Sequence, residues 1–491
     1  MPESGAERNI RIGGDVADLG FELRRAVIEE ELGRLGRARF EFLTRDRALD
    51  PAGLLGKDMS IELHHVGDSN RSFAGTCVSA EYLGQYRGWG RYLVELRPWL
   101  WFLTRNRDCR VFQNVSVPEI VTAVLSEHGY SAQMTKRLSG QYDKREFCIQ
   151  YRESDFDFIS RLMEEEGIYY FFETKGTEIT LILADSVAAH EPAGRNIAAP
   201  DLVIEYADDH AGHDVTRHYA YEVAGGDRVV PGKVSLADYN REQGPNRLSG
   251  MRQMAAGSHA GQKHEIYDYP GRFADEGQGE ARSRVRMEAE HARHRLWDIT
   301  GNARAAMAGT TFVLDGHPRT LGEKEFLIAR ATHFIQTDPR EFEGEAMFQA
   351  LGRGLEREFD SEDGYRNRLT ILPKGTQFRA VPQTPWPAIS GVQTAIVVGP
   401  SGEEIHTDAH GRIKIRFHWD RQQPADETAS IWVRTMMPWT GKGWGMVAIP
   451  RIGLEVVVQF EEGNPDRPLV IGMLYDAASK PPFDLPANKT Q

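Results

Sequence analysis

Between Ile389 and Tyr475, apolar residues recur at every second position in short runs, each stopped by Gly or Pro. This pattern narrows the possible folds more than any other feature of the chain. Ile413, Ile415, Phe417 and Trp419 alternate with Lys414, Arg416 and His418, which is a strand with one buried face. Ile431 to Thr435 alternates again, and Met446 to Ile449 is an apolar run closed by Pro450-Arg451-Ile452-Gly453. Leu454 to Phe460 is Val-rich around Glu455 and Gln459. A turn is expected over Glu461-Glu462-Gly463-Asn464-Pro465-Asp466, and a last strand over Leu469 to Leu474. About five short strands in about ninety residues read as a small closed barrel, most simply the five-stranded oligonucleotide/oligosaccharide-binding (OB) type.

The rest of the chain is long enough for further cores. Its 491 residues point to about three domains, and 40% hydrophobic with 27% charged residues is ordinary for a globular protein. The net charge of −13 makes general nucleic-acid binding, or docking on an anionic membrane, a poor expectation. Cys77, Cys109 and Cys148 are far apart, odd in number and without CxxC spacing, which fits a reducing site of folding and buried thiols. Met1 to Asp15 reads as a polar tail with no apolar signal core, and no run of eighteen apolar residues spans a membrane.

Taken in order, Phe21–Val27, Phe40–Thr44, Ile61–His65, Arg71–Leu83 and Tyr92–Leu96 are strands, running on into Pro98-Trp99-Leu100-Trp101-Phe102. A small barrel is their simplest closure. The period then changes. Pro118 to His128 carries Ile120, Val121, Val124 and Leu125 on one helical face, with Gly129 past its end. A second helix starts at a Ser154 cap with Asp155 and Asp157 in its first turn, and stops at Gly167. A hairpin around Lys175-Gly176 follows. Glu280 to Trp297 is read as a charged helix with a thin seam of Val285, Ala289, Ala292 and Leu296. Thr311–Leu314, Phe326–Ala331 and Met347–Leu351 return to strands.

Candidate chemistry is sparse. Of sixteen histidines, Glu290, His291 and His294 share a helix and His213 and His218 are close in sequence, but no HExxH, HxxEH or HxE…CxxC pattern is present. An i, i+3 His pair among arginines reads as solvated surface. Pro400-Ser401-Gly402 lacks the Gly-x-Ser-x-Gly spacing of a hydrolase, and Gly441-Lys442-Gly443-Trp444-Gly445 lacks the phosphate-loop spacing and reads as a hairpin tip. Glu164, Glu165 and Glu166 read as a solvated helix end rather than a glycosidase pair. Trp419, Trp432, Trp439 and Trp444 are of a type that stacks bases. Trp386 to Tyr475, however, holds eight Lys/Arg against ten Asp/Glu, a net −2, and one basic strand face of Lys414, Arg416 and His418 is too little for a binding groove. Core or protomer contact is the better expectation for these tryptophans.

The same residues resemble a known family. Gly399-Pro400-Ser401-Gly402-Glu403-Glu404-Ile405-His406-Thr407-Asp408, Gly411-Arg412-Ile413-Lys414, Phe417-His418-Trp419-Asp420, Ile449-Pro450-Arg451-Ile452-Gly453-Leu454-Glu455-Val456 and Gly463-Asn464-Pro465-Asp466-Arg467-Pro468 are similar to the OB module of the valine-glycine repeat protein G (VgrG) family. VgrG is the trimeric spike of the bacterial type VI secretion machine and is similar to the hub and puncturing proteins of contractile phage tails. Tyr92 to Gln113, Gln150 to Phe158, Leu162 to Tyr170 and Tyr267-Asp268-Tyr269-Pro270-Gly271-Arg272-Phe273 resemble its head. The resemblance runs from about Leu23 to Gln491.

It implies a mainly β, multi-domain chain: a first hub-like β-barrel over 1–98, a mixed α/β insertion over 99–190, a second hub-like barrel with a charged helix over 191–384, an OB-fold module over 385–476, and a connector over 477–491. The family-motif positions are His406, Asp408, Gly411, Trp419, Pro450, Arg451, Gly453, Gly463, Asp466, Arg467 and Pro468, all structural. The implied assembly is a homotrimer that caps a hexameric tube protein on the baseplate. It waits in the bacterial cytoplasm and is then secreted by the machine into the medium or a target cell, touching the target membrane in passing. No cofactor, metal, catalytic residue or nucleic acid is implied. An OB-fold saccharide- or nucleic-acid-binding protein, or a cell-wall hydrolase of phage-tail type, is the alternative. In the family the OB module leads into a β-helix needle of Val/Gly repeats. None occurs here, and Pro486 to Gln491 is similar to the connector before it, so a partial chain is expected. A tip-capping protein and effectors or adaptors are partners only where that needle is present.

Overall fold

Strands dominate because the two-residue alternation persists through most of the chain and Gly or Pro interrupts it often. The computed structural model describes residues 10–63, 71–86, 88–193, 202–207, 217–240, 247–319, 321, 323–337, 354–355, 358–359, 364–422, 424, 426–429 and 431–490. The chain opens with β1 (Ile10–Gly14), β2 (Glu22–Glu31), β3 (Arg37–Thr44), β4 (Asp58–Leu63), β5 (Arg71–Tyr86) and β6 (Trp89–Arg97). Next come β7 (Arg107–Val115), α1 (Val117–Glu127), β8 (Met134–Arg137), β9 (Arg145–Ser154), α2 (Asp155–Glu166), β10 (Tyr169–Lys175) and β11 (Glu178–Ala184). After these run β12 (Val203–Tyr206), β13 (Tyr219–Asp227), β14 (Lys233–Tyr239), β15 (Arg247–Gln253), β16 (Glu265–Asp268) and α3 (Glu276–His291). They are followed by β17 (Arg295–Gly301), β18 (Thr311–Asp315), β19 (Glu325–Gln336) and β20 (Tyr365–Pro373). The last are β21 (Gln393–Val398), β22 (Lys414–Phe417), β23 (Arg434–Thr435), β24 (Thr440–Gly441), β25 (Trp444–Gly445), β26 (Glu455–Phe460) and β27 (Pro468–Leu474). Among the described residues no helix is long and apolar enough to cross a membrane.

The chain divides into two compact units. One holds Met1–Trp101, Tyr130–Gly140 and Glu164–Pro382; the other holds Phe102–Gly129, Gln141–Met163 and Gln383–Gln491. In the first, strands in the order β1-β4-β5-β6-β3-β2 form one six-stranded set. A second set, β19-β18-β12-β13-β17-β20, closes on itself because β20 also pairs with β19. These are two hub-like barrels, and they share a seam. Along one edge β19 pairs first with β18, at Glu325 to Leu327, and then with β2, from Arg330 opposite Glu31 to Gln336 opposite Arg25. Inward positions fill each barrel separately: Phe40, Phe42, Met59, Ile61 and Val94 in the first, Ile299, Phe312, Phe326, Ile328 and Ile371 in the second.

The seam buries charge. His333 is fully buried; its Nδ1 lies 2.8 Å from Tyr365 Oη and its Nε2 3.6 Å from Glu30 Oε2. Glu30 also pairs with Arg71, whose guanidinium lies over the Phe73 ring at 4.6 Å. Glu41 binds Arg24 at 2.6 Å and Arg91 at 2.7 Å, with all three side chains out of water. Removing one member of such a group costs about 3–5 kcal/mol, because the others stay buried and charged.

Two smaller sheets belong to the same unit. The β10–β11 hairpin turns at Gly176 (φ 57°) and adds β8 in parallel. Sheet β15-β14-β16 packs Val234, Leu236 and Leu248 with Phe273 and Met287. In the other unit, Ser116 and Glu119 form a capping box at the start of α1. The Ser154 hydroxyl accepts from the Asp157 amide, capping α2 as its sequence predicts. Asp155 accepts from Arg110 (2.7 Å), Gln150 (2.8 Å) and Asn106 (2.6 Å), and lies 2.8 Å from His128 Nε2.

Several expectations need correction. Ile10–Gly14 is a strand paired with β4, not tail. Trp99–Thr104 is a 3-10 turn rather than a strand, anchored where Trp99 Nε1 donates to the Ile179 carbonyl at 3.0 Å. Helix α3 ends at His291, six residues short of Trp297, which lies inside β17. The His pair is not solvated: His294 is buried and its Nδ1 sits 2.7 Å from the Arg228 carbonyl oxygen. Glu164 and Glu165 are held by Arg34 (3.2 Å) and Arg282 (2.7 Å) instead of forming a free helix end. Met347–Leu351, His213, His64 and His65 lie outside the described residues.

The buried seam sets a pH dependence. Burial pushes the His333 pKa below its ordinary 6.5, so only the unfolded chain takes up a proton there as pH falls past that value. Its contribution to stability is complete above pH 6.5 and declines below it. Burial alone would raise the Glu30 carboxyl, but the Arg71 charge and the His333 contact outweigh it and bring the pKa from 4.5 to about 2. The Glu30 contribution is therefore lost from pH 4.5 downward. Melting temperature against pH should fall in these two stages, and His333→Gln should flatten the first and shrink the second, which the Arg71 charge alone would then sustain. An identical profile for the variant would refute the assignment.

Candidate functional site

Four of the five OB strands, β22, β23, β26 and β27, fall where the alternation places them; the fifth, β21 (Gln393–Val398), which pairs with both β22 and β26, is not among the strands read from the sequence. The five strands run β22-β21-β26-β27-β23, and the Ile413–Val433 bridge closes the ring. Ile415, Phe417, Val456, Val458 and Val470 fill it. The apolar run at Met446–Ile449 was expected as a barrel strand but is not one. Met446 and Val447 are exposed, and this stretch runs on from the β24–β25 hairpin instead. The expected hairpin tip at Gly441–Gly445 is that hairpin.

The motif positions lie at the joints of the barrel. Asp408 accepts from the amides of His410 and Arg412, both at 2.9 Å, and from Arg412 Nε at 2.6 Å. Its partial burial works against ionisation, but these bonds hold its pKa below the usual carboxylate range. The loop turns at Gly411, φ 73°. His406 packs on Trp432, with ring centres 4.7 Å apart. Trp419 stacks on Phe417 at 4.9 Å and donates from Nε1 to Gln393 at 2.9 Å. Pro450 is buried, while Arg451 reaches Glu404 at 2.8 Å in solvent. Gly453 and Gly463 have φ of 88° and 74°. Asp466 accepts from the Ile149 amide at 2.6 Å, and Arg467 donates its amide to the Asn464 carbonyl at 2.9 Å. Pro468 begins β27 opposite Phe460. Asp408 and Asp466 bind backbone amides, His406 and Trp419 pack on neighbouring rings, and Arg451 pairs with Glu404 in solvent.

The basic strand face is spent within the module. Lys414 donates to the Glu427 carbonyl at 2.5 Å and lies over Trp432, and Arg416 donates to the Asp420 carbonyl at 2.8 Å. His418 faces Glu455 at 3.8 Å. Sequence reasoning missed the aromatic support behind Trp419, where Gln393 donates on to Tyr151 at 2.8 Å and Tyr151 meets the indole edge-on. No local signal joins residues so far apart.

Elsewhere, a cleft of about 660 Å³ is lined by Val187, His190, Glu325 and Lys374 among others. Its charged pair, Lys374 and Glu325, is closed on itself. Both ring nitrogens of His190 are engaged, Nδ1 with the Gly309 carbonyl (2.8 Å) and Nε2 with Tyr169 (2.7 Å). Burial holds its pKa down to about 4, so it is poorly placed as a general base. Burial likewise raises the pKa of Cys77 to about 11, a value for an inert thiol. Among the described residues no three His, Cys, Asp or Glu side chains gather as a metal site.

Comparison with known proteins agrees with this architecture. Residues 29–339 match the phage tail baseplate hub (GPD) family, and residues 395–475 match the type VI secretion system/phage-baseplate injector OB domain. The fold resembles that of the E. coli c3393 protein, described as a type VI secretion component similar to the T4 tail proteins gp27 and gp5. The TM-score is 0.65 at 20% identity, over 94% of this chain and 99% of that one. Fold and site thus define a baseplate hub joined to an injector OB module. The chain is 38% identical over 487 residues to the type VI secretion system spike protein VgrG1b of Pseudomonas aeruginosa, spanning 62% of its length. It is 39% identical to VgrG1a of the same organism, spanning 70% of that protein. The chain belongs to the VgrG family of type VI secretion spike proteins.

The two turn glycines differ in a testable way. Both need a positive φ, which costs a side chain about 1–3 kcal/mol. A Cβ at Gly463 would also sit 3.3 Å from the Ile389 carbonyl oxygen, whereas none within 4 Å meets one at Gly453. Gly463→Val should therefore lower the melting temperature of the OB module by several degrees, and by more than Gly453→Val; Gly453→Asn should be nearly silent, since Asn tolerates this region. Equal melting curves for all three would show these to be ordinary loop positions.

Proposed function

We propose that three copies of this chain form the hub and spike base of a type VI secretion machine. The trimer caps the hexameric tube, nucleates its assembly on the baseplate and is propelled into target cells with effectors. The observation that carries the reading is the doubling of the head: each subunit holds two six-stranded barrels joined at one seam, so three subunits offer six barrels to a six-fold tube. We propose the same division of labour along the chain as the resemblance implies, with barrels in 1–98 and 191–384, an α/β insertion in 99–190, the OB module in 385–476 and a connector in 477–491. The eleven motif positions then serve rigidity, since most support backbone or barrel packing. The chain acts mechanically and carries no catalysis of its own. It resides in the bacterial cytoplasm before firing and is secreted by the machine.

Neither alternative has a comparable observation behind it. A strand binder needs free cations along its groove, and Lys414 and Arg416 are committed to carbonyls. A hydrolase needs an available nucleophile or base, and the cleft histidine is locked at both nitrogens.

Light scattering should give a trimer. Three copies bring −39 of formal charge together (3 × −13), so the trimer should tighten as salt rises and the screening length shrinks toward about 8 Å. Mixed with a hexameric tube protein, the chain should cap tube ends with three-fold symmetry in electron micrographs. A monomer or dimer at every concentration, with and without the tube, would overturn the reading. So would peptidoglycan or nucleic-acid turnover abolished by a point substitution.

A further inference from the structure

The OB module carries an apolar fork that none of the described residues covers. β23 and β27 pair in parallel over only two residues, Arg434 with Leu469 and Thr435 with Val470. The Met436 amide adds one more bond, to the Val470 carbonyl at 2.7 Å, and the two segments continue from there. One arm carries Met436, Trp439, Trp444, Met446 and Val447; the other carries Met473, Leu474 and Tyr475. These eight are among 22 exposed large apolar side chains in the described residues, gathered into two short segments. Trp439 and Trp444 are 65% and 58% exposed and Val447 is 75% exposed, although the two indoles touch each other at 5.2 Å.

The backbone of the first arm is open as well. Met446 donates its amide inward to the Trp439 carbonyl at 2.9 Å, and Ala448 donates inward only to the Met437 thioether at 3.4 Å. Successive amides alternate sides in an extended chain, so the Val447 amide faces outward, and it bonds nothing among the described residues. Met446–Ile449 is not itself a strand, but an exposed apolar segment with an open amide can pair with a strand of another chain unless something blocks it. No Pro lies between Trp439 and Ile449, and Lys442, the one charge there, sits at the hairpin tip.

Charge selects the occupant. Residues 436–450 contain Lys442 alone among charged types, and 468–475 contain none, in a chain of net −13. Copies of an acidic chain repel wherever their carboxylates face, and approach most easily where none are present. Eight such side chains at roughly 100 Å² each expose about 800 Å², the share one partner contributes to a standard interface. A saccharide site would instead need directed polar groups beside the indoles, and Thr440 and Lys442 are the polar residues at hand.

We propose that this fork is the contact between OB modules of neighbouring copies: the Met446–Ile449 edge adds to a strand of the next subunit, and Trp439 and Trp444 are buried against its Met473–Tyr475 arm. The inference rests on the trimer reading above and assigns it a surface separate from the head barrels. The contact is head-to-tail, since arm meets the opposite arm, and with a three-fold rotation between copies such a contact closes into a ring.

The test places a benzoylphenylalanine photo-crosslinker at position 444 of the full chain and measures association of Val447→Lys by light scattering. Val447 is solvent-facing, so the OB module should keep its melting temperature. Irradiation should give covalent dimers and trimers, and Val447→Lys should need at least ten-fold higher concentration to associate. A trimer as tight in Val447→Lys as in the parent, with no crosslink between chains from position 444, would overturn the fork contact while leaving the trimer reading intact. Failure of the parent to associate at any concentration would overturn both. Indole quenching by a chito-oligosaccharide or an oligothymidylate, lost in Val447→Lys and without inter-chain crosslinks, would overturn the proposal in favour of a ligand platform.

Discussion

The head depends on one pairing. β19 changes partner along a single edge, from β18 of its own barrel to β2 of the other, and the change falls between Leu327 and Arg330. Its opposite edge stays paired with β20 across that point, with a register shift between Ile328 and Arg330. Seven residue pairs thereby join Arg25–Glu31 to Arg330–Gln336, about 300 positions later in the chain. Closing a loop of that length carries an entropic cost that grows slowly with length, and strand pairing over two turns of pleat, backed by two cores, offsets it. Without this seam the two barrels would be neighbours in sequence only.

The seam also decides where charge can go. His333 on the shared strand β19 is fully buried, and it is met by Tyr365 and by the mostly buried Glu30 of β2, which pairs with Arg71. The same economy recurs at Glu41 with Arg24 and Arg91, and at Asp155 with Arg110 and Gln150. Buried charges satisfied in this way are rigid and chemically idle. The OB fork differs, with apolar side chains exposed and the Val447 amide unbonded among the described residues.

Four of the five OB strands were legible because each is short and half-buried, so the period of two survives in the sequence; β21 was not, since Gln393–Val398 lies between β22 and β26 and its apolar run Ala395–Val398 does not alternate. The caps at Ser154 and Gly167 and the turn at Gly176 were legible for the same local reason. The errors lie where a neighbour overrides local pattern. Ile10–Gly14 looks like a polar tail until β4 pairs with it. Arg295-Leu296-Trp297 continues a helical seam on paper, yet β13 and β20 both claim it as a strand. Glu164 and Glu165 look solvated until Arg34 and Arg282 arrive from distant positions. Met446–Ile449 has the composition of a core strand, and only the closed ring of five other strands leaves it outside.

The sequence by itself determined the class of fold, the place of the OB module and the family, because alternation, turn residues and motif order are local properties that each short segment carries alone. Only the tertiary structure decided how the strands between β1 and β20 divide into two barrels and that β19 serves both. Those outcomes depend on pairings between residues hundreds of positions apart, and an edge strand looks the same in sequence whichever partner it finally takes.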